Sequence, residues 1–499
     1  MSPLLVLSPL RLEARAVARG APGIRVVRTG SGPRRSSRTA ARLALDRRVG
    51  PLVVAGVGGA LVPGVEPGTL VVADRVLDEH GAVTLKLPSA PLLAADLTSR
   101  GLACVVGPVV SVRRVAIGAA RRAALASTGA VAVDCETAWL LDGTAAPRAV
   151  VRAVVDTPER ELWSPSTLAG GVRALRALTA AAPSLQSWAA AAGDKTVLLA
   201  GPRSFCAGVE RAIATVERAL DRFGPPIYVR RQIVHNAHVV AGLEARGAVF
   251  VRELEEVPAG STVVLSAHGV APAVRAEASE RGLSVIDATC PLVAKVHREV
   301  RRFSQQGYQV VLIGHDGHDE TEGTLGEADG VVLVETADDV ARLEVSDPER
   351  LAYITQTTLA PSDVAGIVAE LSNRYPSVVG PPAQDICYAT QNRQDALAAI
   401  AGECDLVLVV GSSNSSNAAR LVEVAARAGR PARLVEDEAA LRLGWLAGTS
   451  TIGVTAAAST PPELVERVVA ALGGLGAVSV EERPLRHENV NFPLPMEVR

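Results

Sequence analysis

The sequence predicts an α/β fold built mainly from parallel sheets. Apolar, strand-like runs alternate with helical stretches rich in Ala, Arg and Glu; TVLLAG, for example, is followed by CAGVERAIATVERALDRF. Such alternation is typical of α/β layers. The chain has 499 residues, of which 48% are hydrophobic, and a chain of this length is expected to form about three or four domains with large cores.

A seam near residues 183–195 divides the chain into two parts. The Ala-rich helical stretch GGVRALRALTAAA precedes the seam, and a new strand begins at Thr196. We therefore predict one domain over residues 1–190 and a second region over residues 196–499.

The first part carries acidic residues at the ends of predicted strands. PLVVAGVGGALVPGVEPGTLVVADRV indicates a strand, a Gly-rich turn and another strand, and VAVDCETAWLL and VRAVVDTPERELW follow it. Glu136 and Asp156 come after successive strands in this pattern. Both carboxylates are therefore expected at one rim of a sheet.

This half resembles the purine nucleoside phosphorylase and nucleosidase superfamily, and it is most similar to the hopanoid-associated phosphorylase branch. The resemblance implies that Glu136 holds the ribose hydroxyls, that Asp156 protonates the purine and that Glu13 orients an attacking water. Residues 30–32 lie where relatives bind phosphate or its replacement. The implied reaction releases adenine from a 5′-substituted adenosine such as adenosylhopane, by hydrolysis or phosphorolysis. The alternative is a non-catalytic scaffold or regulatory module.

Three cysteines in the second region lie in three separate signature stretches. Cys206 is in GPRSFCAGVERAI, Cys290 in DATCPLVAKVH and Cys387 in DICYATQNRQ. Each follows an apolar or strand-like run and opens a stretch that is predicted to be helical, so three structural units can offer one thiolate each to a common point. Three thiolates suit an iron–sulfur cluster with one iron free of protein. A structural zinc site is the rival, but it favours short ligand spacings.

The other three cysteines have a simpler interpretation. Cys104 and Cys404 lie on apolar strands, and Cys135 precedes Glu136 in a tight motif. Buried cysteines commonly pack as small apolar side chains. We expect no metal ligand among these three.

Polar side chains cluster in Gly-rich or turn-like segments that follow apolar strands of the second region. The segments are VHN, SAHGV, GHDGHDETEGT, TQTTL, GSSNSSN and TAAAS. Imidazoles, hydroxyls and an amide suit a small anionic ligand, although each segment taken alone also fits a core histidine or a simple turn. The candidate residues are His235, His268, His318, Glu320, Thr357, Ser415, Ser416, Asn417 and Ser459.

From about residue 196 to the end, the chain resembles the 4-hydroxy-3-methylbut-2-enyl diphosphate reductase family, LytB/IspH, with PIYVRRQIVHN, LSAHGV, DATCPLV, TQTTL, DICYAT and GSSNSSN in family order. The resemblance implies three pseudo-symmetric α/β lobes, at about 208–290, 291–383 and 384–480, around a central 4Fe-4S cluster, with residues 196–207 packing on the third lobe. It implies that the three signature cysteines hold the cluster. It also implies reductive dehydroxylation of the named diphosphate to isopentenyl and dimethylallyl diphosphate, in the methylerythritol phosphate pathway of isoprenoid biosynthesis.

The same resemblance assigns roles to the polar residues. The diphosphate would be bound by His235, His268, Ser415, Ser416, Asn417 and Ser459. His318, Glu320 and Thr357 would line the reacting end, with Glu320 as the acid. The chain departs from the family at one point, because Asp319 stands where the family usually has proline.

Charge and composition limit the partners. The net charge of −2 argues against a nucleic-acid binder. The N-terminal apolar run is short and lacks a basic segment before it, so it indicates a strand and not a signal peptide; the chain also has no apolar stretch of the roughly 20 residues that a membrane span needs. Cysteines without a disulfide framework favour the cytoplasm. We expect electrons from a ferredoxin or flavodoxin, and the oligomeric state stays open.

Overall fold

A computed structural model describes residues 4–44, 50–141, 143, 146–160, 162 and 167–499. The chain forms two compact units. Unit one contains Met1–Val197, Asp437–Ile452 and Glu466–Glu481, and unit two contains Leu198–Glu436, Gly453–Val465 and Glu482–Arg499.

Strands and helices alternate through the first part of unit one, as the apolar periodicity predicts. The elements are β1 (Leu5–Ser8), α1 (Arg11–Gly20), β2 (Arg25–Arg28), α2 (Pro33–Ala44), β3 (Leu52–Ala60), β4 (Leu70–Leu77), β5 (Val83–Lys86), α3 (Ala90–Ser99), β6 (Cys104–Ser111), α4 (Ala119–Ala126), β7 (Ala132–Asp134), α5 (Thr137–Leu140), β8 (Arg148–Asp156) and α6 (Thr167–Ala191).

The strands of unit one form a mixed sheet with the order β2-β1-β3-β7-β6-β4-β5. Strand β8 pairs with β3 in parallel and with β4 in the antiparallel direction, so the sheet closes on itself through β8. Closure buries β3 on both faces, and its residues Leu52–Ala55 are fully buried. Continuous apolar sequence is expected for a strand buried in this way.

The predicted strand, Gly-rich turn and strand are β3, residues 61–69 and β4, and the glycines of VAGVGGA lie within β3. A Cβ at Gly56 would lie 2.5 Å from an Nη atom of Arg152, and one at Gly59 would lie 2.9 Å from Asp156 Oδ1. Glycine inside a strand often marks such a close approach. These glycines leave room for charged side chains beside the strand.

The alternation continues to the end of the chain. The elements are β9 (Lys195–Gly201), α7 (Ala207–Phe223), β10 (Ile227–Arg230), α8 (Ala237–Glu244), β11 (Ala248–Val251), β12 (Thr262–Leu265), α9 (Pro272–Glu280), β13 (Ser284–Asp287), α10 (Pro291–Gln305), β14 (Gln309–Ile313), α11 (Asp319–Leu325), β15 (Val332–Val334), α12 (Ala337–Arg342), β16 (Leu351–Thr355), α13 (Pro361–Arg374), α14 (Tyr388–Ala401), β17 (Leu406–Val410), α15 (Ser416–Arg427), β18 (Ala432–Val435), α16 (Leu443–Leu446), β19 (Thr451–Ala456), α17 (Pro462–Gly473) and β20 (Val478–Pro484). Short 3₁₀ turns lie at Leu254–Glu256, Glu438–Ala440 and Met496–Val498.

These strands form three further sheets. Their orders are β11-β10-β12-β13, β15-β14-β16 and β18-β17-β19-β9-β20. The pairings within the first two are parallel, and helices separate consecutive strands in the manner that parallel connections require. The predicted α/β class with mainly parallel sheets is therefore confirmed.

Helix α6 leads from the closed sheet to β9. It is 25 residues long, contains Pro183 and buries Trp188 on one face. Neither α6 nor any other helix in the described ranges combines the length and the apolarity needed to cross a bilayer.

Candidate active sites

Most of the predicted polar residues of unit two follow the carboxyl ends of parallel strands. His235 follows β10, His268 follows β12, and Thr357 follows β16. The carboxyl ends of strands in α/β sheets are where ligands usually bind. Cys387 is an exception, since residues 376–386 before it contain three prolines and form only an isolated bridge.

One cavity in unit two brings these residues together. It is lined by every site residue predicted for the second region: Cys206, His235, His268, Cys290, His318, Glu320, Thr357, Cys387, Ser415, Ser416, Asn417 and Ser459. Residues separated by more than 250 positions thus meet at one place. The roles of these side chains are taken up below as proposals.

Further lining residues were missed by the sequence analysis. Thr358, Tyr388 and Thr390 lie in TQTTL and DICYAT, beside predicted residues, so the motifs themselves pointed to them. Phe492 comes from the C-terminal segment, which carries no pattern that links it to the cavity. Only its tertiary position identifies Phe492.

Each of the three signature cysteines is the N-cap of a helix. Cys206 precedes α7, Cys290 precedes α10 and Cys387 precedes α14. The N-terminus of a helix carries partial positive charge and favours anions. The partial positive charges of three helix N-termini therefore lie at the cavity that contains the thiols, where they favour thiolate anions.

Burial opposes ionisation of these thiols in the protein alone. It raises the pKa of Cys290 to about 12 and the pKa of Cys387 to about 11, and the neighbouring cysteines add to both shifts. Thiols that titrate this high stay protonated at neutral pH. A metal that binds them must displace their protons, as metals do when they coordinate thiolates.

Gly208 provides the space in which two of the sulfurs lie. A Cβ at this position would be 2.7 Å from Cys290 Sγ and 3.8 Å from Cys206 Sγ. The first distance is too short for any side chain. Three half-buried thiols that line one cavity, each at the N-terminus of a helix, fit the donor set of an iron–sulfur cluster.

The other cysteines lie outside this cavity. Cys404 is 1% exposed in a core of aliphatic side chains. Cys104 is half-buried on β6, and its sulfur lies 3.2 Å from Thr98 Oγ1. Cys135 lines a separate cavity in unit one.

Glu320 is a buried carboxyl bound at both oxygens. The backbone N–H of Thr357 donates to Oε1 at 2.7 Å, and the Thr357 hydroxyl donates to Oε2 at 2.9 Å. Burial raises the pKa of Glu320 to about 7, against the lowering effect of these hydrogen bonds. A carboxyl with this pKa exchanges its proton near neutrality, as a general acid must.

His318 and Asp319 begin helix α11. His318 is the N-cap, and its Nδ1 accepts a hydrogen bond from the Glu320 N–H at 3.1 Å. Burial lowers the pKa of His318 to about 4, so the imidazole stays neutral and keeps this acceptor. Asp319 is the first helical residue, a position that favours both proline and acidic side chains. An aspartate is therefore favourable at this helix start.

Three imidazoles form a cluster beside Glu320. The rings of His235 and His268 stack with centroids 4.1 Å apart and an interplanar angle of 19°. His318 packs edge-on against both, at 5.2 and 5.8 Å. Burial lowers the pKa of each of the three, most strongly at His268.

Hydroxyl and amide groups face the same cavity from other elements. The Ser415 side chain caps α15 by accepting from the Ala418 N–H, so this helix also begins at the cavity. Ser416 Oγ lies 3.0 Å from the Thr358 hydroxyl, and the Ser459 hydroxyl donates to the backbone carbonyl of His235 at 3.0 Å. Together with the histidines they form a donor-rich pocket suited to phosphate oxygens.

A second cavity, within unit one, contains the predicted N-terminal site residues. Glu13, Ser31, Glu136 and Asp156 all line it. Glu136 accepts hydrogen bonds from the Ser31 hydroxyl at 2.7 Å and from the Gly32 N–H at 3.2 Å. In this state those two donors are directed at the carboxylate.

Two buried arginines that the sequence analysis missed organise this cavity. Arg152 is fully buried, with Asp134 at 2.5 Å and Glu136 at 3.8 Å. Arg122 forms a buried ion pair with Asp156, which favours the ionised carboxylate. In a chain this rich in arginine, no local pattern distinguishes a buried arginine from a surface one.

Glu13 is held in the same cavity from two sides. It accepts hydrogen bonds from the Leu10 N–H at 2.6 Å and from the Val57 N–H at 2.8 Å. Burial raises the pKa of Glu13, although these bonds and Arg152 oppose the rise. The three acidic residues expected from the resemblance thus share one cavity.

The fold and the sites define unit two as part of an α/β protein with a thiol-lined, histidine-rich cavity. The LytB protein family model matches residues 197–473. The chain belongs to the LytB protein family.

Known reductases resemble this region over nearly their whole length. The 4-hydroxy-3-methylbut-2-enyl diphosphate reductase of Aromatoleum aromaticum is 58% identical over 307 residues, which are 61% of this chain and 98% of that protein. Reductase 1 of Mycobacterium tuberculosis is 57% identical over 314 residues, 62% of this chain and 95% of that protein. The solved structure of the Plasmodium falciparum reductase superposes with a TM-score of 0.59 at 40% identity and covers 61% of this chain and 97% of its own.

The N-terminal resemblance is confirmed at the level of the superfamily. The Phosphorylase superfamily model matches residues 17–156. This range contains Glu136 and Asp156, whereas Glu13 lies just before it.

Proposed function

We propose that the chain is a 4-hydroxy-3-methylbut-2-enyl diphosphate reductase that forms isopentenyl and dimethylallyl diphosphate with a 4Fe-4S cluster. The observation that carries the proposal is the meeting of three cysteines, three histidines and Glu320 at one cavity. Relatives that carry this activity by name match unit two at 57–58% identity. The reaction breaks a C–O bond, forms a C–H bond and releases water, and it consumes two electrons and two protons.

Cys206, Cys290 and Cys387 are the residues that would hold the cluster. When bound, the cluster supplies electrons one at a time and a Lewis-acidic iron. The raised pKa values of Cys290 and Cys387 mean that assembly releases protons, which ties cluster loading to pH.

Glu320 supplies the proton that the departing hydroxyl needs. Its pKa of about 7 keeps a proton available at neutral pH, and burial leaves little water to compete. Thr357 fixes both carboxyl oxygens and relays or orients the proton. His318 anchors the start of the same helix through the Glu320 N–H.

The diphosphate is held at the donor-rich end of the cavity. His235 and His268 offer imidazole donors, and Ser415, Ser416, Asn417 and Ser459 offer hydroxyl and amide groups. Several donors are needed because each phosphate oxygen accepts more than one hydrogen bond. The allylic end then lies toward Glu320 and the thiols.

Electrons for the reaction come from a separate carrier. A small iron–sulfur or flavin protein, a ferredoxin or flavodoxin, is the expected donor, and the reducing conditions that keep thiols free favour the cytoplasm. Assays with each donor distinguish the two classes.

The direct test is anaerobic purification followed by visible absorption, iron analysis and assay with the diphosphate substrate. Cys290→Ser is expected to abolish both the brown chromophore and the reductase activity, whereas the control Cys404→Ser retains both. Full cluster content in Cys290→Ser would contradict the ligand assignment. A wild-type protein that shows the chromophore but no turnover would support the cluster and contradict the proposed reaction.

We also propose that unit one releases adenine from a 5′-substituted adenosine, adenosylhopane being the leading candidate. Glu136 would hold the ribose hydroxyls, Asp156 would protonate the purine and Glu13 would orient the attacking water. Because the Arg122–Asp156 ion pair favours the carboxylate, Asp156 would take up a proton from solvent and pass it to the purine as the glycosidic bond breaks. A non-catalytic module remains the alternative.

The rim of this second cavity favours an apolar 5′ substituent. Leu10 and Val115 line the cavity although they are 45% and 50% exposed, and Ile117 is 47% exposed two residues further on. Exposed apolar side chains at a pocket mouth commonly mark a binding surface. Hydrolysis and phosphorolysis are separated by assays with and without phosphate.

A further inference from the structure

One carboxylate beside the histidine cluster has no part in the proposed reaction. A ring nitrogen of His235, a ring nitrogen of His268 and a carboxylate oxygen of Asp319 lie within 4.8 Å of one another. Asp319 Oδ2 is 3.8 Å from His268 Nδ1. The contact places a carboxylate directly beside the stacked imidazoles.

Arg231 fixes the orientation of the Asp319 carboxylate. Its Nη1 donates to Asp319 Oδ1 at 2.5 Å and to Glu322 Oε2 at 2.6 Å, and its Nη2 donates to Glu253 Oε1 at 3.0 Å. Arg231 adopts a φ of 58°, a backbone conformation that a residue with a Cβ rarely takes. Because Oδ1 is engaged by Arg231, Oδ2 is the oxygen that faces the histidines.

The stacked histidines have unmet hydrogen-bonding capacity. Within the part of the chain that the structure describes, His235 Nε2 and His268 Nδ1 are buried and make no hydrogen bond. A buried polar nitrogen without a partner costs stability. These nitrogens are stabilised when one of them carries a proton and a negative charge lies beside it.

Only one imidazole of the histidine cluster can be protonated at a time. Two imidazolium rings stacked 4.1 Å apart repel each other strongly. His318 stays neutral because its Nδ1 accepts from the Glu320 N–H. The available site for a proton is therefore the His235–His268 pair.

We propose that Asp319 is a positioning residue that stabilises one proton on the His235–His268 pair and thereby couples diphosphate binding to proton uptake. The inference rests on the proposed function, because it requires a diphosphate in this cavity. An incoming diphosphate brings negative charge to one side of the pair, and Asp319 supports the same imidazolium from the other side. The proton comes from solvent and forms an N–H bond on one of the two rings, and no bond of the diphosphate is formed or broken.

The electrostatics of the cluster agree with this role. Burial lowers the pKa of His235, and the charge of Asp319 raises it. Burial, the other two histidines and Arg231 lower the pKa of His268, while His315 lowers the pKa of His318 and Asp319 raises it. At His235, therefore, Asp319 opposes the burial that keeps the imidazole neutral, and its carboxylate lies 3.8 Å from His268 Nδ1.

Calorimetry with inorganic pyrophosphate tests the coupling without turnover. The anaerobic, cluster-loaded protein is titrated at several pH values between roughly 6 and 8, in buffers that differ in ionisation enthalpy, so that protons taken up on binding are counted. Wild type is expected to take up protons and to bind more weakly as pH rises. Asp319→Asn is expected to bind about tenfold more weakly near neutral pH, the consequence of a pKa lowered by one unit, with the difference closing as pH falls.

Glu322→Gln is the matched control, because Glu322 shares Arg231 with Asp319 but is not one of the groups close to the histidines. It is expected to retain the wild-type pH profile and proton uptake. Asp319→Pro, which removes the carboxylate and places proline at the first position of a helix, where it is favoured, is expected to behave like Asp319→Asn and covers the case in which the latter folds poorly.

Three results overturn the inference. They are an unchanged proton count in both Asp319 variants, tighter binding by Asp319→Asn at every pH, and an equal shift in Glu322→Gln. The second would mean that Asp319 simply repels the ligand, and the third would assign the effect to the Arg231 contact. Absence of pyrophosphate binding by wild type would instead remove the proposed diphosphate site itself.

Discussion

Burial of a single side chain sets the acid chemistry of the reductase cavity. Glu320 is 2% exposed, and desolvation raises its pKa to about 7 even though Thr357 stabilises the charged form. The neighbouring Asp319 is instead held in an ion pair with Arg231. Two adjacent carboxylates therefore have different environments, which is how one helix turn can contain both an acid and a fixed charge.

Glu320→Gln is expected to lower turnover by roughly 100-fold or more, the usual scale for the loss of a general acid. Substrate affinity should change little, because the diphosphate contacts are made by other residues. Steady-state kinetics with the cluster-loaded protein measure both quantities. A nearly silent Glu320→Gln together with a damaging Asp319→Asn would exchange the roles of the two carboxylates.

The pH dependence of turnover follows from the same pKa. An acid must hold its proton before the reaction, so kcat is expected to be high below about pH 7 and to fall as pH rises through the pKa of Glu320. Glu320→Gln should lose this descending limb. If kcat keeps the same fall in the variant, another group supplies the proton.

At the scale of secondary structure, the thiols depend on how the helices begin. Each cysteine is an N-cap, and Gly208 in the first turn of α7 leaves space for two of the sulfurs. Gly208→Ala is expected to reduce cluster content substantially, because the added methyl group would lie 2.7 Å from Cys290 Sγ. Helix propensity alone predicts the opposite, since alanine favours helix over glycine by about 1 kcal/mol.

Gly366→Ala is the matched control for that variant. Gly366 lies inside α13, and a Cβ there meets no atom within 4 Å. Iron content and visible absorption should be unchanged, and the midpoint of thermal unfolding should stay the same or rise. Equal cluster content in the two glycine variants would show that the close approach at Gly208 does not limit cluster assembly.

Regular elements and ordered motifs made much of this arrangement predictable. The alternation of apolar and helical segments predicts the α/β class, and the positions of His235, His268 and Thr357 after strands predict a shared edge. The strand, Gly-rich turn and strand of residues 51–76 were also predicted, but not that glycines inside β3 accommodate Arg152 and Asp156. That constraint is tertiary and has no local signature.

Long-range contacts account for the other features that could not be predicted from the sequence. Arg122 pairs with Asp156, and Arg152 pairs with Asp134. The partners in each pair are more than ten positions apart in the sequence. Phe492 reaches the cavity from the C-terminal segment. Such pairings depend on how the chain folds back, and neither periodicity nor spacing encodes them.

For the molecule as a whole, the two proposed sites belong to different compact units. Glu13, Glu136 and Asp156 lie in unit one, and the three signature cysteines lie in unit two. Among the described residues, those that line each cavity belong to a single unit. Substitutions at one site are therefore expected to leave the chemistry of the other intact.

Asp156→Asn in the full chain tests this independence together with the proposed N-terminal activity. We expect wild type to release adenine from adenosines with apolar 5′ substituents, and the variant to lose most of that release because an amide cannot pass a proton to the purine as a carboxyl group does. Chromatography of reactions with and without phosphate measures the release, while visible absorption and reductase turnover report on unit two. Glu66→Gln, which changes an exposed carboxylate of the same unit, should alter neither. Circular dichroism verifies that each protein is folded. A lack of adenine release by folded wild type would favour the non-catalytic module. Release that survives Asp156→Asn would assign the chemistry to another residue.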